Sequence, residues 1–189
     1  MNQVLFNIQR AFGASSQELD ALDKVMEKTT LEKNDFFLTE GEVCKSIAFI
    51  ESGSMRLYYD YQAKENSNDF FFENSVVLSF ASFLSQQPSK VNITAIEPCK
   101  LLVIQYTDVF SLFYQYPSLK RFAEVLLQEH LIKSEARAAS LLNDTPLVRF
   151  TKLLEEHPRI FKRIPLHYVA SYLSISPETL SRYRTKFLI

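Results

Sequence analysis

The sequence predicts an α+β chain: a small antiparallel β-roll, then one long helix, then a C-terminal helix-turn-helix. Three observations carry this. Short β-rich runs alternate with turn residues between Thr29 and Ile104. A helical period returns after Pro117 and holds for about 25 residues. Leu166 to Lys186 then reads as two short helices joined by Ser174-Ile175-Ser176. The resulting segments are 1–112, the roll with an N-terminal helix; 113–144, the long helix; and 145–189, the helix-turn-helix.

Ser15-Ser16-Gln17-Glu18 has the spacing of a capping box, and Leu19, Leu22 and Met26 follow at helical intervals, so a short helix opens the chain. The strand candidates are Phe36-Phe37-Leu38, Ile47 to Ile50, Met55 to Tyr61, Phe70 to Phe72 and Leu101 to Ile104. Gly41 and Gly53 sit at proposed strand ends, where a left-handed backbone costs glycine little. Cys44 and Cys99 form no CxxC motif and are expected as buried free thiols.

In the long helix, Leu119, Phe122 and Leu126 form one apolar stripe, and Leu127, Leu131, Ala138 and Leu141 a neighbouring one. A band this wide can pack on its own domain and on a second copy, and Phe122 and Leu126 are the proposed dimer contacts. Thr145 and Pro146 form the N-cap and first position of the next helix, which His157-Pro158 closes.

Leu166, Val169, Ala170 and Leu173 make the buried face of the first short helix. Ser176-Pro177 starts the second, which turns Leu180, Tyr183 and Phe187 inward. Glu178, Ser181, Arg182 and Thr185 are left on the opposite face, with Thr179 beside them and Arg184 and Lys186 on the flank. A carboxylate and a guanidinium so placed can read cytosine and guanine edges in a major groove, while the flanking cations meet phosphates. The plainer alternative is a surface hairpin in which Glu178 and Arg182 form an i, i+4 ion pair.

The net charge of −1 hides a division along the chain. From Arg149 onward there are eight Lys or Arg against three Glu, a balance of +5, whereas the preceding 148 residues hold 13 basic and 19 acidic groups, −6. A basic end on an acidic body suits a module that meets nucleic acid at one end. With 47% hydrophobic residues the chain is not globally disordered, and it has no apolar run long enough for a membrane span and no visible signal segment, so a cytoplasmic location is expected. A metalloenzyme on a roll needs histidines on strands, but His130, His157 and His167 fall in helices or linkers. No nucleophile elbow or phosphate-binding glycine loop occurs either, so no catalytic residue, metal or cofactor is expected.

The run Val169-Ala170-Ser171-Tyr172-Leu173-Ser174-Ile175-Ser176-Pro177-Glu178-Thr179-Leu180-Ser181-Arg182 resembles the signature of Crp/Fnr-type bacterial regulators, their Bacteroidetes branch in particular. Glu40-Gly41-Glu42, Ile50-Glu51-Ser52-Gly53 and Ser82-Phe83-Leu84 through Pro88 are similar to the landmarks of that family's roll. The resemblance implies a cyclic-nucleotide-binding-like roll of the double-stranded β-helix type, a dimerising long helix and a winged helix-turn-helix. It implies a transcription regulator with double-stranded DNA, a second copy of the chain, a small-molecule effector and RNA polymerase as partners, and base reading by Glu178, Ser181 and Arg182. A ligand-sensing dimer that has lost DNA binding and acts on a protein partner is the alternative.

The departures from the family carry expectations of their own. Ser174 stands where the family has glycine, at a cost on the order of 1 kcal/mol if the residue is left-handed. Pro177 replaces an arginine of the cyclic-AMP-responsive members, so a different operator is expected. The cassette that holds a cyclic phosphate in the family, Gly-Glu followed by Arg-Ser or Arg-Thr, here reads Leu78-Ser79-Phe80 and Ser89-Lys90. Phe72, Ser79, Phe80, Ser89 and Lys90 are the candidate effector-pocket residues, and cyclic AMP and cyclic GMP are not expected to bind.

Overall fold

The computed structural model describes residues 3–187. In chain order the elements are α1 (Gln3–Phe12), α2 (Ser16–Val25), β1 (Glu27–Leu31), β2 (Phe36–Leu38), β3 (Ser46–Ser52), β4 (Met55–Tyr61), β5 (Lys64–Phe71) and β6 (Val76–Val77). They continue with α3 (Phe80–Ser85), β7 (Asn92–Ala95), β8 (Cys99–Gln105), α4 (Tyr106–Gln115), α5 (Pro117–Asn143), α6 (Pro146–Glu156), α7 (Ile160–Arg163), α8 (Leu166–Leu173) and α9 (Pro177–Phe187). The chain forms two compact units, Met1–Leu57 with Phe70–His130, and Tyr58–Asp69 with Leu131–Ile189. The division falls inside α5, because the two halves of that helix pack on different partners.

The first unit is built on the roll. Two four-stranded sheets have the orders β1-β8-β3-β6 and β2-β7-β4-β5, and β8 is central to the first, pairing antiparallel with β1 and β3. Ile47 opposite Ile104 and Phe49 opposite Leu102 set the register. The core includes Ile50, Met55, Val77, Ile93, Leu101, Leu102 and Ile104, all nearly inaccessible. Gly53 is required at the β3–β4 turn: its φ is +105°, and a Cβ there would lie 2.6 Å from both Cys99 Sγ and the Pro98 carbonyl.

The expected capping box starts α2. Ser15 N–H donates to Glu18 Oε2 at 2.7 Å and Glu18 N–H donates to Ser15 Oγ at 3.3 Å. The Ser118 hydroxyl also donates to Glu18, and this bond with those from Ser15 holds the carboxyl below its ordinary range. Ahead of α2 lies a helix not anticipated from the sequence, α1, which buries Val4, Leu5 and Ile8. Cys44 and Cys99 are free and buried, and burial pushes the Cys44 thiol up.

The second unit is organised around Phe150, fully buried, whose ring centroid lies 5.4 Å from those of Phe161, Tyr183 and Phe187. Leu153, Ile160, Ile164, Val169, Ala170, Leu173 and Leu180 complete this core. Thr145 caps α6 by accepting from Val148 N–H, and Pro146 occupies the first turn. The tip of the β4–β5 hairpin belongs to this unit: Ser171 Oγ of α8 accepts from Ser67 N–H at 2.9 Å and donates to the Glu65 carbonyl at 2.7 Å. Lys133 pairs with Asp69 at 2.7 Å.

Among the described residues no strand follows β8, so the wing implied by the resemblance is not seen there. The link 157–165 between α6 and α8 folds instead around α7, whose Ile160 and Phe161 are drawn into the core.

Candidate nucleic-acid interface

The joint between α8 and α9 is built from local chemistry. Leu173 ends α8, and Ser174 takes a left-handed conformation, φ 54° and ψ 47°, which lets its N–H reach back to the Ala170 and Ser171 carbonyls. Ser176 Oγ then accepts from Thr179 N–H at 3.2 Å, capping α9 ahead of Pro177. The joint is fastened from behind by Arg149, a buried residue of α6. Its Nε donates to the Leu173 carbonyl at 3.0 Å and its guanidinium also donates to the Asp144 carbonyl at 2.7 Å. Arg149 thus serves the fold, although by composition it belongs to the basic balance of this end. Arg137 has a similar duty: its guanidinium lies 3.8 Å over the Tyr172 ring and donates to the Tyr172 carbonyl.

With Leu180 buried, α9 turns Glu178, Ser181, Arg182, Thr185 and Lys186 to solvent, while Thr179 and Arg184 are half-buried. Arg182 forms no hydrogen bond or ion pair among the described residues. Glu178 does not pair with it, so the i, i+4 ion pair of the plainer alternative is not formed. The Glu178 carboxylate instead accepts from the Ser176 hydroxyl and from its own backbone N–H, which hold it below the ordinary glutamate range and keep it a charged acceptor. Thr179 shares a 3.2 Å bond with Ser176 Oγ, and the Thr185 hydroxyl donates to the Ser181 carbonyl. Arg184 has a buried Nε with no hydrogen-bond partner, so it is committed further into the helix surface than Lys186.

The effector candidates are arranged differently. Ser89 is buried; its hydroxyl donates to the Val91 carbonyl and accepts from Val91 N–H, and its backbone is stitched to the loop at Gly41 and Glu42. Ser79 is buried at the start of α3, where its carbonyl accepts from Phe83 N–H. Lys90 is exposed, Phe72 is half-buried at the end of β5, and Phe80 stacks on His130 with centroids 4.0 Å apart. Of these five, Phe80 lines a cavity, and the other four do not join it there. Ser82, a residue of the roll landmark, holds α3 in place by accepting from Cys44 N–H and donating to the Gln87 carbonyl. At the positions that the resemblance assigns to the cassette stand Leu78-Ser79 and Ser89-Lys90, with no arginine and no Gly-Glu pair.

Phe122 faces its own unit, 5.2 Å from the Phe12 ring and 6.3 Å from that of Phe49, and Leu126 lines the same cavity as Phe80. The exposed apolar residues of α5 are those of the neighbouring stripe, Leu127, Leu131 (58% exposed) and Leu141, together with Ile132 and Leu142 (84%). Among the described residues no group of three or more His, Cys, Asp or Glu is placed to hold a metal ion, and no helix is long and apolar enough to cross a membrane.

Comparison with known proteins agrees on a fold with an antiparallel roll, a long helix and a helix-turn-helix. Residues 28–116 match the cyclic nucleotide-binding domain family. FixK2 from Bradyrhizobium japonicum is similar, with a TM-score of 0.76 at 16% identity over 86% of this chain and 84% of that one. So is the c-di-GMP-responsive global regulator CLP from Xanthomonas campestris (0.73, 16% identity, 92% of each chain). A transcriptional regulator of the Crp/Fnr family from Eubacterium rectale gives 0.71 at 14% identity over 93% of this chain and 84% of that one. No curated protein matches the sequence. Residues 28–116 are thus similar to cyclic nucleotide-binding domains, and the chain has a fold similar to that of the Crp/Fnr family regulators.

Proposed function

We propose that the chain is a sequence-specific DNA-binding transcription regulator that acts as a homodimer, with a roll that takes an effector other than cyclic AMP or cyclic GMP. The observation that carries this is the solvent face of α9: Glu178, Ser181 and Arg182 lie on one side of a capped helix, and among the described residues the Arg182 guanidinium has no partner. An ordered, unpaired guanidinium beside a charged carboxylate suits bidentate reading of guanine and acceptance from cytosine N4. RNA polymerase is the partner through which the bound dimer acts. The dimer reading rests on Leu127, Leu131 and Leu142 of α5, which lie on one side of the helix and are exposed in a single chain.

Fluorescence anisotropy with random duplex at rising salt tests the DNA-binding core of the proposal. The logarithm of affinity falls linearly with the logarithm of salt for a protein that displaces counterions from phosphates. Genomic fragments recovered with the protein are expected to share an imperfect palindrome with half-site centres about 34 Å apart. No binding, or binding indifferent to salt, defeats the proposal and favours a protein partner. Leu131→Asp with Leu142→Asp is expected to give a monomer by analytical ultracentrifugation and to weaken operator binding, since each half-site alone supplies only part of the affinity.

The exclusion of cyclic nucleotides follows from charge. A buried cyclic phosphate keeps its negative charge and needs a paired cation and donors. Lys90 is exposed, and a lysine does not reproduce the planar grip of arginine. Isothermal titration with both nucleotides is expected to give no binding; a low-micromolar dissociation constant accompanied by a change in operator affinity would falsify it.

A further inference from the structure

The roll unit contains a cavity of about 230 Å³ that neither the DNA-facing helix nor the cassette accounts for. Ile47 and Phe49, two residues apart and therefore on one face of β3, form its floor with Ile104 of β8. Phe80 and Phe83 of α3 and residues of α4 form one wall, and Leu119, Phe122, Ala123 and Leu126 of α5 form the other at the i, i+3, i+4, i+7 spacing of a single helix face. All the lining side chains are apolar except Lys120 and Glu124, which extend from α5. Those two are more than half exposed and loosely paired, with Nζ and Oε1 4.0 Å apart.

Protein interiors pack as densely as organic crystals, with few voids larger than a water molecule. Water is a poor filler here, because a buried water needs two to four polar partners and, apart from the exposed Lys120 and Glu124, the lining side chains are apolar. An apolar cavity of about 150 Å³ stays dry and accepts benzene, and this one is larger. A second copy of the chain is a poor occupant as well. The cavity lining runs from Leu84 and Leu127, 52% and 43% exposed, where a second copy packed on α5 could cover the mouth, down to Leu119 and Ile104, 2% and 1% exposed, a depth that a helix about 10 Å across does not reach.

We propose that this cavity binds a small amphiphile, a medium-chain aliphatic or aryl-substituted carboxylate. Its apolar body fills the space among Phe49, Phe80, Phe83 and Leu126, and its carboxylate is met by Lys120. Glu124 is the present partner of that ammonium, and because both side chains are solvated and the pair is long, a ligand carboxylate replaces it at little cost. The inference concerns the roll unit alone and does not depend on DNA binding, so the two readings fail separately.

The test is titration calorimetry on the full chain with octanoate and, separately, 1-octanol. Both are expected to bind saturably at one site per chain. Ala123→Phe, which grows a ring into the cavity, is expected to weaken both at least tenfold without lowering the melting temperature; Ala123→Leu is the milder variant should the larger one misfold. Lys120→Ala is expected to weaken octanoate severalfold and leave octanol unchanged. Absence of saturable binding of either probe, undiminished binding to a folded Ala123 variant, or an equal effect of Lys120→Ala on the two probes overturns the proposal.

Discussion

The turn around Ser89 in the roll and the outer face of α9 are both polar stretches proposed above as places for an outside ligand, yet their polar groups are used in opposite ways. Ser89 spends its hydroxyl on Val91 and its backbone on Gly41 and Glu42, so the cassette is closed on itself. On α9 the Ser176 cap serves the helix backbone, and among the described residues the Arg182 guanidinium has no partner. A group already paired inside the fold gains little from a ligand, whereas an ordered, unpaired one is available to it. The contrast separates the face proposed to read DNA from a turn whose polar groups are paired within the roll.

The largest effect is expected where the platform under α9 is removed. Phe150→Ala takes out the ring on which Phe161, Tyr183 and Phe187 converge, and should cost roughly 3 to 5 kcal/mol. Chemical denaturation should show that loss, with DNA binding lost alongside it. A cost below about 1 kcal/mol, the range of volume-conserving swaps, would mean that Phe150 does not organise the unit.

Next comes the pair of substitutions that tests the contrast directly. Arg182→Ala should leave the melting temperature unchanged and cost roughly 1 to 3 kcal/mol on the best operator, with a much smaller effect on random duplex. Ser89→Ala should do the reverse: it strands the buried Val91 N–H, costs roughly 1 to 3 kcal/mol of stability, and leaves base preference untouched. If Arg182→Ala weakens operator and random DNA equally, Arg182 is a phosphate contact. If Ser89→Ala is neutral for stability, the cassette is not the closed scaffold described above.

A smaller effect, of opposite sign, is expected at the joint. Ser174 is left-handed, so Ser174→Gly should raise stability by about 1 kcal/mol, because glycine accepts that backbone without steric cost. A melting temperature that fails to rise would show that the serine side chain contributes something that offsets the strain.

Particular residues show why parts of the molecule were legible and others were not. Signals that rest on one side chain and its own backbone survived into the structure: the Ser15–Glu18 box, Thr145 before Pro146, and the Ser176 cap. The span Met55 to Tyr61 also emerged as β4, because its apolar pattern matches its packing. The first six residues of β5, Lys64 to Asp69, carry no hydrophobic pattern, and the turn before them is Gln62-Ala63 with φ of 52° and 59° instead of the Asn-Gly that announces such a hairpin. Helix α3, six residues long, has no side-chain cap to mark it. The roles of Arg149 and Phe122 depend on residues distant in sequence, Leu173 for one and Phe12 and Phe49 for the other, and spacing along the chain does not contain them.

The smallest expected effect concerns Glu178, the charged residue of the α9 face whose carboxylate is partly engaged within the fold. Its carboxylate accepts from the Ser176 hydroxyl and its own N–H, and its pKa in the folded chain lies below the ordinary glutamate value, near 4.3. A depressed folded-state pKa means that the charged form stabilises the fold above the unfolded-state value, and that this contribution is lost as pH falls through the folded one. The melting-temperature difference between the wild-type chain and Glu178→Gln should therefore be small and constant from pH 7 down to about 5, and should shrink below about 4.3. Salt should shrink it too, because the group is solvated at a helix N-terminus. Operator binding should lose its preference for cytosine opposite Glu178 in the same variant, since a glutamine offers a donor as well as an acceptor. A melting difference that persists unchanged at pH 3 would assign the role of Glu178 to neutral hydrogen bonding, and the charged acceptor proposed for the DNA face would lose its physical basis.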